Sequence, residues 1–109
     1  MIPVLSVAGI NADAQKRDYV KHVMQTVMHD PMYPCFLALL PDPTNPYDPN
    51  ALKVQLNSID VGFVSKKDQR YIDVTKTYLA KIESWGVLKD QSVYLYFQAF
   101  LLCLVAFCG

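Results

Sequence analysis

The sequence predicts a small α+β domain built on a curved, barrel-like antiparallel sheet with two helices. Three observations lead there. Apolar residues fall at helical spacing between Asp13 and Asp30, then switch to strict alternation in LKVQL, residues 52–56. Further short apolar runs follow at hairpin distances, and no regular strand-helix-strand series connects them. With 109 residues, 52% hydrophobic and 18% charged, the chain is long enough to bury one core without disulfide or metal staples. One domain over residues 1–109 is expected, with no internal repeat, low-complexity tract or interdomain linker.

Pro3 to Gly9 reads as a short strand ending at a glycine turn. Val20, Val23, Met24, Val27 and Met28 then form one face of a helix, with Lys16, Arg17, Lys21 and Gln25 on the other. Asn11 or Asp13 caps its start, and Asp30-Pro31 ends it, because the residue before a proline avoids helical backbone. The Met stripe reads as core. Cys35 to Leu40, bounded by Pro34 and Pro41, suits a buried strand. The segment PDPTNPYDPN has four prolines in ten residues and is therefore a shaped loop. Residues 51–64 read as a hairpin turning at Asn57-Ser58, in which Gly62 marks a bulge or a close backbone approach. Ser65 and Asp68 form a capping-box pattern, and Ile72, Thr75, Leu79 and Ile82 share a face, so a second helix is expected over about 66–79. Ile82 to Leu88 and Val93 to Phe100 complete the sheet, joined around Lys89-Asp90.

Ten basic and ten acidic side chains cancel, so no global positive field draws the chain to nucleic acid or anionic lipid. Any nucleic-acid contact has to be local. Cys35, Cys103 and Cys108 are an odd set with no CxxC pair, which fits reduced thiols in a cytoplasmic protein. The start, MIPVLSVAGI, lacks the basic region and cleavage site of a signal peptide. Residues 93–107 are apolar except for Gln98, but they fall short of the roughly 20 residues of a spanning helix and suit strands, so no membrane partner is expected.

The strongest chemical signal lies in loop 42–51. Asn45, Asp48 and Asn50 can bond nearby backbone N–H groups, while Pro43, Pro46 and Pro49 remove backbone freedom between them. Such a loop holds Tyr47 and Asp48 in fixed orientations. Taken alone it also fits a plain structural turn, with Asp48 capping amides and Tyr47 packing.

The string DPTNPYDPNALKVQLNSIDVGFV, residues 42–64, resembles the signature of the HIRAN domain, which occurs as a stand-alone bacterial or phage protein and fused to helicase-like DNA-repair enzymes. The resemblance implies an OB-like β-barrel with added helices. It also implies a pocket that captures the 3′-hydroxyl end of single-stranded DNA, with Tyr47 and Asp48 as the motif's Tyr-Asp pair. A terminal hydroxyl can donate to a carboxylate, whereas an internal phosphate meets like charge there. DNA-end-binding members carry an Arg-Tyr pair in the first strand, where this chain has Leu5-Ser6. They also carry a phenylalanine after the second helix, for which Trp85 is the positional counterpart.

Lys66, Lys67 and Arg70 crowd the start of the expected second helix, and residues 65–82 hold five basic against two acidic side chains. Free helix N–H groups and three cations would make a phosphate site; an ordinary solvated face is the alternative. The leading expectation is a non-enzymatic, cofactor-free module of DNA repair or replication. It would grip single-stranded or damaged DNA through Tyr47, Asp48, Lys66, Lys67, Arg70 and Trp85. The second expectation is a protein-interaction module that self-associates through its apolar C-terminal run. His22 and His29 are seven apart, too far to chelate one metal along a helix, and read as surface residues. No Gly-rich phosphate loop or nucleophile elbow is present, and a nuclease would have only Asp42, Asp48 and Asp60 near the motif.

Overall fold

The computed structural model describes residues 2–101; Met1 and residues 102–109, with Cys103, Cys108 and the end of the apolar run, lie outside the described residues. The strands are β1 (Leu5–Ala8), β2 (Leu37–Pro41), β3 (Leu52–Leu56), β4 (Ile59–Val64), β5 (Tyr78–Val87) and β6 (Val93–Leu101). One α-helix, α1 (Ala14–His29), and two 3-10 helices, Ile10–Ala12 and Lys66–Tyr71, accompany them. All strand pairs are antiparallel, and the order β1-β4-β3-β2-β5-β6 closes on itself. The expected α+β barrel is the fold. No helix among the described residues is long and apolar enough to cross a membrane.

Strand alternation fills the barrel. Leu37 and Leu39 of β2, Leu52, Val54 and Leu56 of β3, and Val93, Leu95 and Phe97 of β6 point inward and are buried. Helix α1 adds Val20, Val23 and Met24 to the same core. Its apolar stripe stops short of the C-terminus, since Met28 is 67% exposed. Asp13 is the cap, accepting from the amides of Gln15 and Lys16 at 2.8 and 3.4 Å. Asn11 instead bonds both backbone groups of Val93, donating to its carbonyl at 2.9 Å and accepting from its N–H at 2.8 Å.

The β3–β4 hairpin turns at Asn57 and Ser58, both with positive φ (52° and 69°), the twist that suits a two-residue antiparallel turn. A register shift opposite Val54 and Gln55 makes the bulge expected in β4. At Gly62 the chain needs glycine for space: a Cβ there would run into the Ala8 carbonyl oxygen and stand 2.9 Å from Val7 Cγ1. β1 can close on β4 only because that position is bare.

The second helix differs from the expected 66–79. It is a 3-10 helix that ends at Tyr71, and Tyr78 and Leu79 already belong to β5. Two features stop it. Ile72 is extended, and the Asp73 carboxylate accepts from the N–H and hydroxyl of Thr75 at 2.9 and 2.6 Å, a local turn that competes with helix. Tyr78 then locks this turn, its hydroxyl donating to the Asp73 carbonyl and accepting from the Asp73 N–H, both at 3.0 Å. The proposed inward face fails with it: Thr75 and Leu79 are exposed. Ser65 does not cap the helix, because its hydroxyl bonds Ser6.

Gly62→Ala is expected to destabilise the fold by about 1–3 kcal/mol, as overpacking against backbone does. Urea denaturation would read this as a lower midpoint at an unchanged slope.

Candidate functional site

Loop 42–51 is shaped by its own side chains. Its ends meet where the Asp42 N–H donates to the Ala51 carbonyl at 3.0 Å. Between them, Asn45 Oδ1 accepts from the amides of Tyr47 and Asp48 at 2.9 and 3.0 Å, and Asn45 Nδ2 donates to Asp42 Oδ2 at 3.2 Å. Asp48 Oδ1 accepts from the Asn50 amide at 2.9 Å. With these amides satisfied inside the loop, the Tyr47 side chain projects into solvent, 94% exposed.

Asp48 also ties the loop to the second 3-10 helix, its Oδ2 accepting from Gln69 Nε2 at 2.8 Å. A groove of about 310 Å³ lies between them, lined by Tyr47, Asp48, Lys66 and Gln69 with Ala8 and Phe63 below. Ala8 pairs with Phe63 and Phe63 with Lys53, so the floor is the outer surface of the barrel where β1 and β4 meet. The volume is at the lower end of small-ligand sites and accommodates one nucleotide-sized group.

The Gln69 hydrogen bond and then the Asn50 amide hold the Asp48 carboxyl below its ordinary range against desolvation, with a lesser contribution from the Lys66 charge. Asp48 is therefore ionised at neutral pH. Each carboxylate oxygen has one protein donor, and a carboxylate offers about four lone-pair sites, so Asp48 keeps capacity for a donor in the groove.

The structure thus brings together Tyr47, Asp48 and Lys66. It adds Gln69 and Phe63, which the sequence reading missed. Gln69 had a signal only once the helix is known to be 3-10, where residues three apart eclipse and Gln69 lies above Lys66. Phe63 is the apolar residue on the outward side of β4, beside the bulge. Lys67 and Arg70 are exposed on the same helix but do not line the groove; Arg70 lies over the Tyr71 ring, 4.7 Å from its centroid.

Trp85 is not part of this groove. Trp85 pairs with buried Leu95 and shares its side of β5, so it packs half-buried toward α1 beside Met24 and Val27. The Leu5-Ser6 stretch is structural as well. Leu5 is buried, while the Ser6 hydroxyl bonds Ser65 Oγ at 2.6 Å and Asp68 Oδ2 at 2.9 Å. Asp60 is turned to Gln55 and Lys53 on the hairpin, so the acidic residues near the motif do not converge. Among the described residues, no group of three or more His, Cys, Asp or Glu side chains is placed to hold a metal ion.

Compared with protein-family models, curated proteins and solved structures, the chain finds no match.

An NMR titration should place the Asp48 pKa below the usual value of about 3.9, and Gln69→Ala should raise it toward that value. Because the folded-state pKa is depressed, the stabilisation from the Asp48 contacts is complete above the unfolded-state pKa. It is lost as pH falls through the folded value, so the Asn50 amide resonance should move only in that acidic window. An unshifted Asp48 in the wild type would contradict the hydrogen-bonding account.

Proposed function

We propose that the chain is a HIRAN-type, non-catalytic module that binds single-stranded DNA at a 3′-terminal hydroxyl, in repair or replication. One observation carries this reading: an ionised carboxylate with unused acceptor capacity stands beside an exposed tyrosine ring on a pre-shaped loop. A terminal hydroxyl can donate to Asp48, and a terminal base can stack on Tyr47, a contact worth roughly 1–3 kcal/mol per base in single-strand binders. Lys66 at the groove, with Lys67 and Arg70 farther along the helix, supplies local positive charge for a phosphate in a chain whose net charge is zero. A 3′-phosphate would bring negative charge against Asp48 and be rejected.

Fluorescence anisotropy with short labelled single strands at low salt tests this. A free 3′-hydroxyl should bind about tenfold more tightly than a 3′-phosphate, and Asp48→Asn should erase most of that preference, since it removes the charge that repels the phosphate. Tyr47→Ala should weaken both by about fivefold or more. Equal binding of free and blocked ends would remove end capture even if DNA binding remained.

A second reading, an assembly module with no DNA-end pocket, draws on Met28, Met32 and Phe36, which are 67%, 88% and 69% exposed near the end of α1. Light scattering during size-exclusion chromatography decides it: a strict monomer that binds DNA counts against this reading.

A further inference from the structure

Strand β6 sends Val93, Leu95 and Phe97 into the core, which leaves Tyr94 and Tyr96 on the outer face of the barrel, 37% and 40% exposed. The two rings lie 5.7 Å apart, inclined at 54°. Tyr94 pairs with Gly86 of β5, and a Cβ at that position would stand 2.6 Å from Tyr94 Cζ. The distal half of the ring therefore lies across bare backbone. One side of it is covered by the sheet, and the other is turned outward. Any larger residue at 86 would lift the ring away.

The same outer face runs into the groove. Ser6 of β1 pairs with Tyr96, and Ala8, two residues on and on the same side of the strand, lines the groove. One strand spacing and one alternate-residue step separate Ala8 from Tyr96, a distance of about 8 Å. The 5.7 Å between the Tyr94 and Tyr96 rings is well above the roughly 3.4 Å rise per nucleotide of a stacked strand. That spacing suits successive bases of an extended strand, not of a duplex. Lys66 lies on the groove side of the tyrosines and exposed Lys81, paired with Gln98, lies beyond them. The Asp68 carboxylate beside β1 is held by Ser6, while exposed Glu83 stands at the β5 bulge next to Ser84, the partner of Tyr96.

We infer that Tyr94 and Tyr96 form a second stacking platform, which receives the nucleotides preceding the end held at Tyr47 and Asp48. This inference rests on the reading of the groove as a DNA-end site. It makes β6 a length-dependent part of the interface, since a strand must extend past the groove to reach it.

Binding of a 3′-hydroxyl mononucleotide, which occupies the groove alone, and of a 3′-hydroxyl single strand of about ten nucleotides separates the two sites. The double variant Tyr94→Ala, Tyr96→Ala is expected to weaken the longer strand by about tenfold or more and leave the mononucleotide unchanged. Tyr94→Phe with Tyr96→Phe should bind the longer strand as the wild type does, because stacking needs the ring and not the hydroxyl. No loss for the longer strand, or equal loss for both, overturns the platform while leaving the end site standing. If the wild type binds neither ligand, the end-site reading falls and the platform with it.

Discussion

β1 has only four residues, yet it has to be paired on both sides for the barrel to close. It divides the task along its length: Leu5 and Ser6 face Phe97 and Tyr96 of β6, while Val7 and Ala8 face Val64 and Phe63 of β4. At Ser6 the partner strand β4 has already ended. The Ser65 N–H donates to the Ser6 carbonyl at 2.9 Å, and the Asp68 carboxylate accepts the Ser6 N–H at 2.9 Å. A side chain thus does the work of a missing strand residue. An unmet buried N–H would cost about 1–3 kcal/mol, which accounts for a carboxylate at a buried position. The 3-10 helix is held beside β1 by this contact, and Lys66 and Gln69 reach the groove because the helix is held there.

The barrel was legible in the sequence because its signals are local. Alternation in residues 52–56 and the Asn57-Ser58 turn each act within a few residues and agree with one another, whereas the bare position at Gly62 serves the distant Val7 and Ala8 of β1. The second helix was misread for the complementary reason. Ser65 and Asp68 have capping-box spacing, but their partner is Ser6, about sixty residues away, and local pattern cannot distinguish the two uses. Trp85 lies in a strand, as expected, but on the side it shares with buried Leu95, which turns the indole toward the core and α1 and away from the groove. Within the site, Tyr47 and Asp48 were readable from the chemistry of a proline-rich loop. Phe63 joins them through the β3–β4 hairpin, where it pairs with Lys53, and Gln69 through the 3-10 helix that Asp68 ties to Ser6, a contact no short stretch of sequence records.

The order in loop 42–51 does not depend on a ligand. Asn45 and Asp48 satisfy amides that an open loop would leave to water, and prolines remove competing backbone states. The backbone that carries Tyr47 is therefore ordered in advance, so stacking on its ring would cost side-chain freedom but little loop freedom. Gln69 extends this order to the helix, so the two walls of the groove are coupled through the Asp48 carboxylate.

The ends of that loop meet at the Asp42–Ala51 hydrogen bond, directly beyond the Pro41–Leu52 pair of β2 and β3. Its interior contributes no residue to the barrel core, and Ala51 is the buried residue at its edge. Residues 43–50 therefore behave as an interchangeable cassette on a finished scaffold. The core does not draw on the loop's interior: different loop sequences grafted between Asp42 and Ala51 would present different chemistry over the same floor of Ala8 and Phe63.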